Sequence, residues 1–254
     1  MKLVRFSKDN EVYCGVLEGA AVKVLAGDFF CRPQAFTGEC VPFDAVKVLP
    51  PVVPSKIIAV GLNYLDHIEE FKRSVPHEPC IFIKPPTSII GHGDEIVLPR
   101  FSKRVDYEAE LAIVIGAKCK QVGPSAAAGY VLGYTCLNDV TARDLQELDA
   151  QWARAKSFDT FCPVGPVVET VLNPDRLRIR ALLNGKVTQD AHTSRMVFSC
   201  AAIVSFVSQV MTLLPGDIIA TGTPGGGGTL HAGDTIEIDI EGIGRLTNRG
   251  RQER

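Results

Sequence analysis

Long apolar runs are missing from this sequence. No stretch approaches the roughly 18 consecutive apolar residues of a membrane-spanning helix. The most apolar helical segment, Ile203 to Leu214, is interrupted by Ser205, Ser208 and Gln209. The opening MKLVRFSKDN has no apolar core of the secretory-signal kind. An excess of one charge is also missing: 27 Lys and Arg against 29 Asp and Glu leave a formal net charge of -2. That balance offers no electrostatic footprint for nucleic acid. The one basic run, Arg245 to Arg254, reads as a solvated tail. None of the eight cysteines forms a C-x-x-C pair, so clustered zinc spacing is absent. A chain this long needs no disulfide staples, and reduced, mostly buried thiols in a cytoplasmic protein are the expectation. The glycine run Gly225–Gly228 lacks the G-K-[ST] ending of a phosphate loop and reads as a tight turn.

What is present is mostly strand pattern. Residues 1 to 50 alternate in the strand manner and are expected to form a small β-rich N-terminal domain. Pro50, Pro51 and Pro54 exclude a regular element interior and place a boundary near residue 50. Residues 51 to 254 then form the main domain. Strands are expected at Ile57–Leu62, Ile81–Pro85, Glu95–Pro99, Tyr107–Gly116 and Tyr130–Val140. Asn63 is expected to cap a short helix, Tyr64–Phe71, and Thr141–Ser157 reads as a helical run or a helix plus loop. Strands outnumber helices and do not alternate with them, which indicates an α+β, mainly β architecture rather than a doubly wound sheet.

Three carboxylates stand out. Glu108 and Glu110 are two apart in a strand pattern and so share a face. Like charges side by side repel unless a cation sits between them. A solvent-facing polar edge would also explain the pair, but the strand continues into Leu111–Ile115, an apolar run typical of burial on both faces. Asp139 ends a second apolar strand, where it could equally cap the following turn. Oxygen ligands converging from strand ends suit Mg2+, Mn2+ or Ca2+ better than zinc. His67 and Glu70 are neighbours on a helix face. Glu70 could orient the imidazole as a base, although an isolated H-x-x-E is more often an ordinary exposed pair.

The segments VGLNYLDHIEE (Val60–Glu70), IFIKPPTSIIGHGDEIVLP (Ile81–Pro99), VDYEAELAIVIG (Val105–Gly116), GYVLGYTCLNDVTARDLQ (Gly129–Gln146), AKSFDTFCPVGP (Ala155–Pro166), LNG (Leu183–Gly185) and GDIIATGTPGGGG (Gly216–Gly228) follow one another in an order that resembles the fumarylacetoacetate hydrolase family. The short members, acting on acylpyruvates, oxaloacetate or 2-hydroxyhepta-2,4-diene-1,7-dioate, are the nearest in pattern. The resemblance covers residues 55 to about 248. It implies a mixed β-sandwich roll, or pseudo-barrel, usually homodimeric. It implies Mg2+ or Mn2+ on Glu108, Glu110 and Asp139. The catalytic residues it implies are His67 and Glu70 on a lid helix, with Lys156. The substrate contacts are Asn63, Tyr64, Arg143, Gln146 and Thr223, and charge balance around the carboxylates adds Lys84.

The activity implied is metal-dependent chemistry on a small 2-oxo acid through a stabilised enolate. Hydrolysis of an acylpyruvate C–C bond or decarboxylation of oxaloacetate comes first, and isomerisation of a dienol diacid is the alternative. A catalytically idle metal- or metabolite-binding relative is the reading of another class, and the intact set His67, Glu70 and Lys156 weighs against it. Arg143 and Lys156 could instead pair with Asp144, Glu147 or Asp159. Trp152 reads as packing.

Overall fold

The computed structural model describes residues 1–31 and 35–254, so part of the cysteine-containing stretch Gly27–Cys40 lies outside the described residues. Among the described residues strands dominate, arranged in sheets of twelve, five and three strands. Four α-helices accompany them: α1 (Leu65–Glu70), α2 (Arg143–Leu148), α3 (Ala153–Lys156) and α4 (Cys200–Val210). The largest sheet runs from an edge at Phe36–Pro42, through Lys2–Lys8, Cys162–Glu169, Val131–Asn138, Ala109–Ile115 and Ile218–Ala220, to Ile57–Gly61 and an edge at Cys80–Lys84. Its two ends do not meet, so it does not close into a barrel. Among the described residues no helix is long and apolar enough to cross a membrane.

The strand Ala109–Ile115 shows why this sheet forms. All seven residues are buried. Ala109, Leu111, Ile113 and Ile115 enter one apolar cluster, while Ala112 and Val114 enter a second. The two clusters lie on opposite faces, as the period of two demands. Ile58 and Val60 divide from Ile57 and Ala59 in the same way. N-terminal strands extend the same sheet, because Lys2 and Leu3 pair with Glu169 and Val168. The prolines at 50, 51 and 54 fall in the irregular segment between the Lys47–Val48 and Ile57–Gly61 strands.

Three expectations need correction. The strand expected over Tyr107–Gly116 is two pieces, Val105–Tyr107 and Ala109–Ile115, which lie in different sheets. Asn63 does not cap α1: Tyr64 occupies that position in extended conformation, with no side-chain capping bond. The amide of Asn63 instead donates to Phe198 O and Thr221 O and accepts from Phe198 N. The C-terminal basic run is no free tail. Gly244–Gln252 is a strand between Thr235–Ile240 and Glu95–Leu98, with Arg245 paired to Glu237 and Arg251 to Glu95.

Candidate active site

The ends of four large-sheet strands converge on one cavity of about 580 Å3. Its floor is acidic. Single oxygens of Glu108, Glu110 and Asp139 all lie within 4.8 Å of one another, and all three residues are buried. Local structure puts them there. The backbone N–H of Glu108 donates to Asn138 Oδ1 at 2.9 Å, and that of Ala109 to Gln189 Oε1 at 2.9 Å. Side-chain amides thus take the bonds a continuing ladder would have made, and the chain steps from one sheet to the other at Glu108. Asp139 follows the last residue of the neighbouring strand and donates its N–H to Glu108 O at 2.9 Å.

Buried charges need partners, and three cations supply most of them. Lys156 Nζ bridges Glu108 Oε2 and Asp139 Oδ2, both at 2.7 Å. Lys84, fully buried, donates to Asp139 Oδ1 at 2.6 Å and to Val140 O at 3.3 Å. Arg143 binds Glu108 Oε1 through Nη2, Asp106 Oδ2 through Nε at 3.0 Å, and Gln146 Oε1 through Nη1 at 2.6 Å. The helix pairs weighed for Arg143 and Lys156 are therefore not the ones made.

Electrostatics divides the carboxylates. Burial alone would push Glu108 up, but Lys156, Arg143 and His67 hold it well below the usual carboxylate range. Glu110 goes the other way: burial, then Asp139 and Glu108 beside it, push its carboxyl well above that range. Its recorded hydrogen bond is the backbone N–H of Gly222 at 2.7 Å, and no cationic side chain pairs with it among the described residues. Gly222 has φ +98, and a Cβ there would stand 2.8 Å from Asn63 Cβ, so the N–H that reaches Glu110 depends on glycine.

This imbalance is the test of a metal. An all-oxygen set from two strand ends suits a hard divalent cation. Glu110, buried among like charges without a counter-ion, is the place where such a cation would restore neutrality. Glu108, Glu110 and Asp139 are the residues that would hold it, and the fit is good.

Above the floor stand His67 of α1 and Phe71 just after it, with Phe82 and Trp152 packed edge to face at 5.3 Å. Phe71 touches the His67 ring at 4.7 Å and lies 5.7 Å beneath the Arg143 guanidinium, which ties the end of α1 to the floor. Burial lowers the His67 pKa, with Glu108 and Glu70 opposing. The expected His67–Glu70 hydrogen bond is not made. Nδ1 and Oε2 stand 3.6 Å apart, His67 Nδ1 has no partner, and Glu70 Oε2 accepts from Gly226 N at 3.2 Å. The glycine run is thus a turn against the end of α1. Leu62, which also lines the cavity, holds φ +57, a left-handed conformation uncommon for leucine and concentrated at functional sites.

Of the residues singled out in the sequence, His67, Glu108, Glu110, Asp139, Arg143, Gln146, Lys156 and Thr223 line this cavity. Asn63, Tyr64 and Lys84 do not. They stand behind its wall, fully buried, where Asn63 ties loops, Lys84 serves Asp139, and Tyr64 Oη is left without a partner. Glu70 faces the Gly226 turn. Trp152 packs as expected and also lines the cavity. Asp106 escaped notice: it is buried, accepts from Arg143 Nε and Thr229 Oγ1, and pairs with Arg104. The alternation D-x-E-x-E would have revealed it. Gln189, whose amide holds Ala109 N, Thr223 Oγ1 and Pro224 O, carries no such signal.

The model of the fumarylacetoacetate (FAA) hydrolase C-terminal domain matches residues 56–250, and an Rv2993c-like N-terminal model matches residues 1–51. The chain belongs to the fumarylacetoacetate hydrolase family. A protein of Archaeoglobus fulgidus is 54% identical over 97% of this chain and 94% of its own length. The mitochondrial oxaloacetate tautomerase Fahd2a of Rattus norvegicus is 43% identical over 82% of this chain and 71% of its own. Among solved structures, 2-hydroxyhepta-2,4-diene-1,7-dioate isomerase from Mycobacterium marinum is 44% identical with a TM-score of 0.93, covering 100% of this chain and 99% of that one. Maleylpyruvate hydrolase from Sphingobium, in complex with manganese(II) and pyruvate, is 30% identical with a TM-score of 0.83 over 100% of both chains. Members of this family with such names are enzymes acting on small molecules.

Proposed function

We propose that this family member is a divalent-metal-dependent enzyme that moves a proton between the keto and enol forms of a small 2-oxo acid. The observation that carries the reading is the buried trio Glu108, Glu110 and Asp139 opening into the same cavity as His67. These three carboxylates would hold a Mg2+ or Mn2+ ion, which would supply Lewis-acid chemistry to the 2-oxo acid. His67, whose pKa burial lowers and whose Nδ1 has no hydrogen-bond partner, takes the proton from C3 of the keto form and returns one to C3 of the enol form, the enol-oxygen proton being exchanged with solvent. Lys156 keeps Glu108 and Asp139 aligned. Arg143 and Gln146, bound to each other on the cavity wall, orient the substrate carboxylate. Phe71 and Trp152 exclude water.

C–C hydrolysis of an acylpyruvate and decarboxylation of oxaloacetate, placed first from the sequence, become the second reading. Hydrolysis asks His67 and Glu70 to activate a water together, and at 3.6 Å that pair is not hydrogen-bonded. Two relatives above 40% identity are named tautomerase and isomerase, whereas the maleylpyruvate hydrolase stands at 30%. The manganese and pyruvate of that hydrolase keep the second reading in play. A homodimer belongs to the same proposal, and sedimentation of the purified chain tests it.

The deciding assay gives Mn2+-loaded protein enol oxaloacetate and follows loss of the enol absorbance, with pyruvate release measured in parallel and acetylpyruvate cleavage measured separately. Accelerated enol loss without pyruvate, abolished in Glu108→Ala and His67→Ala, supports proton transfer. Cleavage of acetylpyruvate, with enol loss no faster than in Mn2+ buffer, supports the second reading instead.

A further inference from the structure

Four side chains that can carry positive charge line the cavity: His67, Arg73, Arg143 and Lys156. Three have tasks. Lys156 is held between Glu108 and Asp139, Arg143 between Asp106, Glu108 and Gln146, and His67 faces the carboxylate floor. The Arg73 guanidinium makes no ion pair and no hydrogen bond among the described residues, yet it borders the same space. We propose that Arg73 is a specificity-determining residue that receives an anionic group at the end of the substrate remote from the carboxylate floor. This rests on the reading of the cavity as a 2-oxo acid site, and it narrows the preferred ligands to diacids.

The position of Arg73 is built by the fold. Helix α1 ends in a paired-bond turn: Arg73 N donates to Ile68 O and Lys72 N to Glu69 O, both at 3.0 Å. Lys72 takes the left-handed conformation that this terminus needs, at φ +51. Non-glycine residues adopt it at a cost, so the backbone that aims Arg73 is specified rather than slack. Acidic side chains also border the cavity and repel anions. Glu147 there has no cationic partner among the described residues, while Asp149 is held in a forked contact with Arg154 at 2.6 and 2.8 Å. A distal carboxylate is therefore drawn to the Arg73 side, where a planar guanidinium can bind it through two parallel hydrogen bonds. Because Arg73 follows the helix that carries His67, a diacid bound this way also holds the lid, and His67 with it, over the floor.

The test compares acids that differ only in the distal group, 2-oxoglutarate with 2-oxopentanoate and 2-oxoadipate with 2-oxohexanoate. Binding to the Mn2+-loaded full chain is measured by calorimetry. In at least one pair the wild type should bind the diacid about tenfold or more tighter. Arg73→Gln should abolish that preference and leave monoacid affinity unchanged, and Arg73→Lys should keep part of it. A preference that survives in Arg73→Gln overturns the inference, as does a wild type that binds both members of each pair equally. Equal losses for diacid and monoacid in Arg73→Gln overturn it too, since they mark a residue that shapes the lid. If the wild type binds none of the four acids, the reading of the site as a 2-oxo acid site falls first, and the result is distinct from the other three.

Discussion

Replacing Lys84 with methionine removes a charge and little volume, and it isolates one interaction. Lys84 Nζ and Asp139 Oδ1 are 2.6 Å apart with exposures of 0% and 1%. Arg154 and Asp149 are also 2.6 Å apart, with exposures of 53% and 26%. Distance is the same and burial differs, so burial should set the cost. Deleting one partner of a buried pair costs roughly 3–5 kcal/mol, an upper bound for Asp139 because Lys156 stays on its other oxygen. A surface pair is worth about 0–1 kcal/mol. For a chain of this size each kcal/mol moves Tm by about 2–4 °C, so Lys84→Met should lower the metal-free Tm by up to roughly 6–20 °C. Arg154→Met should lower it by less than about 4 °C. Mn2+ should stabilise Lys84→Met by more than it stabilises the wild type, because deleting a neighbouring cation strengthens the pull of Asp139 on a dication. Thermal unfolding with and without Mn2+ reads all of this. Equal, small shifts for the two variants would refute the account of the floor as a desolvated charge network.

Three other outcomes follow from the same structure. His92, half-buried, accepts the Thr247 N–H on Nδ1 at 3.2 Å, and burial holds its pKa below the ordinary 6.5. The unfolded chain therefore takes up the proton first, and stability present above about pH 6.5 is lost as pH falls through the lower folded value; His92→Gln should show a shallower decline between pH 7.5 and 5.5 in denaturant melts. Gly222→Ala should destabilise the chain by more than about 1 kcal/mol and weaken Mn2+ binding together, because its Cβ meets Asn63 and its N–H serves Glu110. Asp106→Asn should fold, yet lower kcat on a 2-oxo acid by about tenfold or more, because it loosens the Arg143 fork that also grips Glu108.

Which features were legible in the sequence follows from where their causes lie. Ala109–Ile115 is buried throughout and apolar at every position but Glu110, so both its existence and its depth could be read directly. The E-x-E pair and Asp139 carried their signal through strand-end position and through the family pattern. The break at Glu108 could not be read, since the groups that cause it are the amides of Asn138 and Gln189, distant in sequence. The C-terminal strand was mistaken for a tail for a different reason. Its inward residues include Asn248 and Gly250 beside Leu246, so the alternation is real but not hydrophobic, while the arginines around them dominate the composition. Asn63 has the right chemistry for a helix cap. Its amide is consumed by Phe198 and Thr221, partners that only the folded chain brings near.

Glu110→Gln tests the metal site most directly, because it separates the ion from the fold. The side chain keeps its shape, and a carboxyl crowded by Asp139 and Glu108 loses the charge that burial opposes. Without metal, the variant should be at least as stable as the wild type. Titrated with Mn2+ and followed by electron paramagnetic resonance, the wild type should bind one equivalent, and Glu110→Gln should bind it at least about tenfold more weakly. Unchanged Mn2+ affinity in a variant that folds normally would contradict the assignment of these three carboxylates as the metal site.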